Sequence, residues 1–257
     1  MATRITWTKQ EKIAYITIIE EINNRPCTLD WNSLSMLENV IDEIGKDSEV
    51  RAAVLQSGSE KSFVVGANIN TLETLKADNI MYWVKNGHRV FNKIQQLPIP
   101  VIAKVESYAL GGGLELAMAC DMIIATENAK FAQPEASLGV MPGWGGSYRL
   151  AKLIGQNRAK EMFFTGHQIT AQQAYEWGIV NHVCKKEEID AKINEVLDAI
   201  LNNEEKVLQF VKEIINTHNQ KDVSVNAYEE ANTSYVCMSS ESTLTRLQEF
   251  FKNRRKK

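Results

Sequence analysis

Apolar positions alternate along the chain between short continuous runs and helical spacing. Ala14 to Ile19 is apolar and partly β-branched, which predicts a strand, and Asn23, Asn24 and Pro26 predict the loop after it. Asp30 then stands in capping position before Leu34, Leu37, Ile41 and Ile44, one face of a helix. Ala52 to Leu55 predicts a second strand ending at Ser57-Gly58, and Phe63 to Val65 a short one running into the turn Gly66-Ala67-Asn68. Ile80, Val84, Phe91 and Ile94 mark a helix stopped by Pro98 and Pro100, and Val101 to Val105 reads as a strand. A glycine triplet opens a helical stretch Leu114 to Ala119, before a buried strand Met122 to Ala125. The turn Gly143 to Gly146 leads into a helix through Leu150 and Ile154 ended by Gly155. Another helix over Glu161 to Phe164 ends at Gly166, and Thr170 with Gln173 forms a capping box. This alternation predicts an α/β fold.

After Ile189 the pattern becomes purely helical, in the sets Ile193, Val196, Leu197, Ile200; Val207, Phe210, Val211, Ile214; and Leu244, Leu247, Phe251. The charged stretch Lys185 to Glu188 precedes that change. The boundary between a core, 1–200, and a helical region, 201–257, is therefore set near residue 200.

Composition narrows the function classes. With 257 residues, 44% of them hydrophobic and 24% charged, the chain can bury one large core with a smaller appendage. A net charge of -3 provides no general attraction to nucleic acid or anionic lipid. No apolar run reaches membrane-span length, and the polar start Met1 to Lys12 lacks a signal peptide's apolar centre, so a cytoplasmic protein is expected. Cys27, Cys120, Cys184 and Cys237 show no metal-ligand spacing and read as reduced, mostly buried thiols. His88, His167, His182 and His218 are scattered outside any Ser or Cys nucleophile motif and read as structural, which argues against a triad hydrolase. The basic tail Lys252 to Lys257 reads as solvated, with phosphate binding as its alternative.

Four segments carry candidate chemistry. Gly111-Gly112-Gly113-Leu114-Glu115, between a strand and a helix, lets backbone N–H groups approach an oxyanion at the positive end of the helix; a plain tight turn is the competing reading. No GxGxxG follows a strand here with an acid about 20 residues on, which disfavours a dinucleotide site. Phe131-Ala132-Gln133-Pro134-Glu135 brings a second carboxylate after a strand, and two carboxylates in one dry pocket divide into acid and base roles. Ser62 to Ile69 (SFVVGANI) offers the Ala67 N–H as a second donor, and Gly139 to Gly146 (GVMPGWGG) brings backbone and Trp144 near a ligand.

In this order these segments resemble the enoyl-CoA hydratase/isomerase, or crotonase, family. The resemblance rests on GANI at Gly66, PVIAKVESYALGGGLELAMACDM at Pro100, FAQPEASLGVMPGWGGSYRL at Phe131 and ITAQQAYEWGIVNHV at Ile169. It implies a superhelix of β-β-α turns that binds acyl-CoA, with a C-terminal helical part that assembles homotrimers or homohexamers. It also implies an oxyanion hole from the N–H groups of Ala67 and Gly112, holding a thioester enolate. Glu115 and Glu135 would hold water, Glu115 assisting as base and Glu135 delivering a proton to Cα, with no metal or redox cofactor and with coenzyme A as part of the substrate. The implied activity is hydration of a 2,3-enoyl-CoA.

Its alternatives are an isomerase, a decarboxylase or thioester hydrolase on the same scaffold, or a non-catalytic acyl-CoA- or RNA-binding relative. A 4-chlorobenzoyl-CoA dehalogenase would need a nucleophilic Asp where Gly143 stands. Four positions depart from the family pattern: Asn68 for Asp, Pro26-Cys27-Thr28-Leu29 for Asn-Ala-Leu, Trp144 for a small residue, and Leu244-Thr245-Arg246 for Lys-Glu-Gly. Trp144 beside Gly143 in the acyl pocket predicts short or flat acyl chains.

Overall fold

The computed structural model describes residues 3–22, 25–203, 205–213, 215–216, 231, 234–236, 238–239 and 241–254. Asn23, Asn24, Ile214, His218, Cys237 and Arg255 to Lys257 lie outside the described residues.

Strands β1 (Thr3–Gln10) and β2 (Ile13–Glu20) form an antiparallel hairpin whose tight turn puts Glu11 at φ 53. The polar start reads from sequence only as lacking a signal peptide, yet Thr3 and Ile5 are buried and the strand pairs along its whole length. Helix α1 (Trp31–Lys46) follows, with Asp30 and Ser33 capping each other reciprocally at 2.7 Å and the expected Leu34, Leu37, Ile41 and Ile44 buried.

The chain then winds in repeated turns. Strand β3 (Ala52–Ser57) leads to β4 (Ser62–Val64) and helices α2 (Ile69–Thr74) and α3 (Ile80–Gln96). Strand β5 (Val101–Val105) leads to β6 (Tyr108–Leu110) and α4 (Gly112–Ala119). Strand β7 (Met122–Thr126) leads to β8 (Lys130–Ala132), a 3-10 turn Glu135–Leu138, and helices α5 (Gly146–Ile154) and α6 (Gln156–Thr165). The first strand of each turn joins one sheet, ordered β1-β2-β3-β5-β7-β10, and the second joins another, ordered β4-β6-β8-β9. Strands β2 to β10 of the large sheet and β4-β6-β8 of the small one run parallel, as crossover helices require. This is the expected superhelix of β-β-α turns. Strand β9 (Ile169–Thr170), helix α7 (Ala171–Trp177) with its Thr170–Gln173 capping box, and β10 (His182–Cys184) complete it.

Both faces of the large sheet are covered, which explains its continuous apolar strands. In β3, Ala53 and Leu55 face the main core, whereas Ala52 and Val54 join Ile102 and Ile124 under helix α8 (Ile189–Asn202). That helix brings Ile193, Leu197 and Ile200 of the expected periodic set, together with Ile189, while Val196 is only partly buried against them; each full burial stabilises by about 1.5–3 kcal/mol. Residues 205–213 are helical and fastened to the core by Lys212, whose Nζ donates to Asp121 Oδ2 at 2.6 Å and to the Ile99 carbonyl at 2.7 Å. The terminal helix Glu241–Arg254 follows. No helix of the described residues is long and apolar enough to cross a membrane.

Candidate functional site

The small sheet delivers its strand ends to one place. After β4, Gly66 adopts φ 95, and a Cβ there would stand 3.2 Å from the Leu110 carbonyl and 3.4 Å from Gly112 N. The two turns therefore touch. The Gly66 carbonyl and the Asn68 N–H pair with Leu29, while the intervening Ala67 N–H takes no partner among the described residues.

The glycine triplet does not all precede the helix, as the sequence reading had it. Only Gly111 lies outside, at φ 54, and α4 begins at Gly112 because Gly113 must lie on β4: a Cβ at 113 would fall 1.8 Å from the Val64 carbonyl oxygen. As the first residue of α4, Gly112 has its N–H outside the helical ladder. A Cβ at Gly111 would meet Glu135 Oε1 at 2.9 Å, so the second carboxylate packs directly on this turn.

Glu115, one turn into α4, is 1% exposed. Its Oε1 accepts from the N–H of Trp144 at 2.8 Å and of Gly146 at 2.7 Å. These two backbone donors meet the buried carboxylate directly. Ala67, Gly112, Glu115, Glu135, Gly143 and Trp144 all line one largely apolar cavity of about 190 Å³. The C-terminal part shares in it through Ser234, Met238, Leu247 and Phe250, and Thr243 Oγ1 anchors the terminal helix by donating to the Gly139 carbonyl at 2.6 Å.

Trp144 is 3% exposed and wedged between two helices. A Cβ at Gly87 of α3 would lie 2.1 Å from its indole Cδ1, and one at Gly112 would lie 2.5 Å from Cζ3. Trp83 and Phe91 pack on the same indole with ring centroids 5.0 and 5.3 Å away. Gly87 costs its helix about 0.5–1 kcal/mol relative to Ala, and the indole occupies the notch it leaves.

Gln133, fully buried, escapes the sequence reading, which uses it only as part of a motif. The amide orientation that satisfies both of its ends makes its nitrogen donate to both oxygens of Glu135 at 3.0 Å. Gln133→Leu keeps the volume and removes that donor. A hydrogen bond to a charged group contributes about 1.5–3 kcal/mol, and the donor would stabilise the charge Glu135 acquires on releasing a proton, so turnover should fall about 10- to 100-fold. Steady-state kinetics, with circular dichroism to verify the fold, checks this.

Among the described residues, the other candidates do not line the cavity. Burial pushes the Cys120 thiol well above its usual range, with Asp121 adding to the shift, so it is a poor nucleophile. His88 is buried and stacks on Tyr148 at 6.1 Å, and none of His88, His167 and His182 lines the cavity.

The family model for enoyl-CoA hydratase/isomerase matches residues 8–257. The chain belongs to the enoyl-CoA hydratase/isomerase family. A relative from Clostridium acetobutylicum named short-chain-enoyl-CoA hydratase is 36% identical over 96% of this chain and 94% of its own length. A crotonyl-CoA hydratase from Syntrophomonas wolfei is 33% identical over the same shares. The crystal structure of an enoyl-CoA hydratase from Bacillus anthracis, 29% identical, matches with TM-score 0.76 over 98% of this chain and 97% of its own.

Two of the departures from the enoyl-CoA hydratase/isomerase pattern meet in space. Asn68 Nδ2 donates to Thr28 Oγ1 at 2.9 Å, while Asn68 Oδ1 caps α2 by accepting from Asn70 N at 2.9 Å. An ionised Asp could cap α2 but could not donate to Thr28. The two substitutions thus form one hydrogen-bonded pair that holds the Ala67 turn against the Leu29 segment.

Proposed function

We propose that this protein adds water across the 2,3-double bond of a short-chain enoyl-CoA. The observation that carries this reading is the convergence of two glutamates and two backbone N–H groups on one apolar cavity. In the proposed reaction the thioester oxygen accepts from Ala67 N–H and Gly112 N–H. Charge that develops there is stabilised; one such donor is typically worth about 2.7–4 kcal/mol. Water held by both glutamates attacks C3 and gives its proton to Glu115, while Glu135 supplies a proton to C2. The addition balances without a metal or redox cofactor, and coenzyme A enters as part of the substrate.

A short acyl group is supported by the volume that Trp144 occupies beside Gly143 and by the names of the Clostridium and Syntrophomonas relatives. The experiment is to mix purified protein with crotonyl-CoA and follow the conjugated enoyl-thioester absorbance. Its loss supports the proposal, and its persistence across short, branched and cyclic enoyl-CoAs counts against it.

Assembly into a homotrimer or a pair of trimers belongs to the same proposal, as does a cytoplasmic setting for the free thiols of Cys27, Cys120 and Cys184. Self-association is supported by Val207, Phe210, Val211 and Ile215, a helically spaced apolar stripe whose members are each about half exposed. Phe210→Asp should shift the mass measured by light scattering toward the monomer; an unchanged mass would remove the stripe from the interface.

A further inference from the structure

Arg149 on α5 is 6% exposed, yet among the described residues no carboxylate forms an ion pair with it. Its Nη1 donates to the Trp144 carbonyl at 2.7 Å, and its Nη2 to Asn92 Oδ1 at 2.8 Å and Gln95 Oε1 at 3.3 Å, both on α3. Its Nε has no partner among the described residues, and its carbon lies 5.2 Å from the centre of the Tyr148 ring. A buried cation surrounded by neutral acceptors is costly unless a negative charge lies near.

The bonded carbonyl belongs to the turn that holds Glu115. The peptide before Trp144 and the peptide after Gly145 direct their N–H groups to Glu115 Oε1, and the peptide between them points its oxygen at Arg149. Gly145, at φ 109, makes this possible twice over. It adopts the turn, and a Cβ there would stand 2.1 Å from Nη1. Glycine also leaves that peptide free to rotate once its carbonyl loses the guanidinium.

We propose that Arg149 is a positioning residue for Glu115. Its guanidinium clamps the Trp144 carbonyl so that both flanking N–H groups aim at the carboxylate, and its charge favours the ionised form of Glu115 across the turn. The catalytic part of this inference rests on the hydratase reading; the effect on Glu115 ionisation does not. Among the described residues, the charged and titratable groups around the turn are Glu115 and Cys120 from the α4 segment, Glu135 after β8, Tyr148 with Arg149 on α5, and His88 on α3. Asp121, further along, is engaged by Lys212.

The test is a pH titration of the Glu115 carboxyl by carbon-13 NMR in full-length protein, its signal assigned by its loss in Glu115→Gln, compared between wild type, Arg149→Met and Arg149→Lys. The Met variant should titrate at higher pH than wild type, because two donors and a cation that favour the ionised form are lost or loosened. The Lys variant should fall between. In crotonyl-CoA hydration the Met variant should lose about 10²-fold in kcat with KM nearly unchanged, as expected for misplacement of a reacting group, and the acid limb of its kcat profile should move with the NMR midpoint.

An unmoved Glu115 titration in a folded Met variant overturns the proposal even if kcat falls, since a merely structural role would lower stability and leave the midpoint alone. If the Met variant does not fold, the Lys variant decides: a raised midpoint supports the proposal and a wild-type midpoint overturns it. A wild type that fails to hydrate enoyl-CoA overturns the hydratase reading, while the titration still tests the clamp.

Discussion

Glu115→Gln and Glu135→Gln each lower the kcat of crotonyl-CoA hydration by about 10²–10⁴-fold, the usual contribution of a positioned general acid or base. Both substitutions keep shape and volume while removing the charge and the ability to exchange a proton. The two should differ in stability. Glu115 is 1% exposed and accepts two backbone N–H groups through Oε1, and a glutamine there must keep its carbonyl oxygen on those donors and find room for an NH₂ group. Glu135, half-buried on a 3-10 turn, meets the amide of Gln133, and an amide facing an amide preserves a neutral hydrogen bond. Activity with KM unchanged in either folded variant would remove that carboxylate from the reaction.

Trp144→Ala should shift chain-length preference strongly toward longer acyl groups. The indole lies against Gly112, whose N–H is a proposed oxyanion donor, so the space it vacates adjoins the acyl chain near the reacting carbons. Each methylene admitted to an apolar pocket is worth about 1–3 kcal/mol, so the kcat/KM ratio of octenoyl-CoA to crotonyl-CoA should rise at least about tenfold. The variant should also lose about 3–5 kcal/mol of stability, because Trp83 and Phe91 are left facing a cavity.

Gly87→Ala provides the internal control. In the wild-type background its methyl collides with the indole and destabilises by about 1–3 kcal/mol, whereas with Trp144→Ala the same methyl enters vacant space. Denaturant unfolding of the four proteins measures that coupling. An unchanged chain-length ratio in folded Trp144→Ala would show that the indole does not bound the acyl pocket.

Much of this site is readable from the sequence because its parts are local. A glycine triplet after an apolar strand predicts a close backbone approach, and Glu115 and Glu135 each sit at a fixed offset from a strand end, where the β-β-α winding collects strand termini. The parts that escape are defined by distant partners. Gly87 lies mid-helix, and its reason is an indole 57 positions later. Gln133 and Arg149 look like ordinary polar residues until their burial makes their donors matter. The pairing of Asn68 with Thr28 is invisible because each residue belongs to a separate segment, and the two meet only in the fold, through the Leu29 bridge and the bond from Val65 N–H to the Cys27 carbonyl. Strand β1 escapes for a related reason: Thr3 to Gln10 has few apolar residues of its own, and its order comes from pairing with β2.

The most direct test of the account is the mass of the product formed from crotonyl-CoA by wild-type protein, beside Glu115→Gln and Glu135→Gln at the same concentration. The wild type should form a product heavier by one water, with the CoA thioester intact, that is nearly absent with either variant. A product of unchanged mass with a shifted double bond, or free coenzyme A with the acid released, would contradict it.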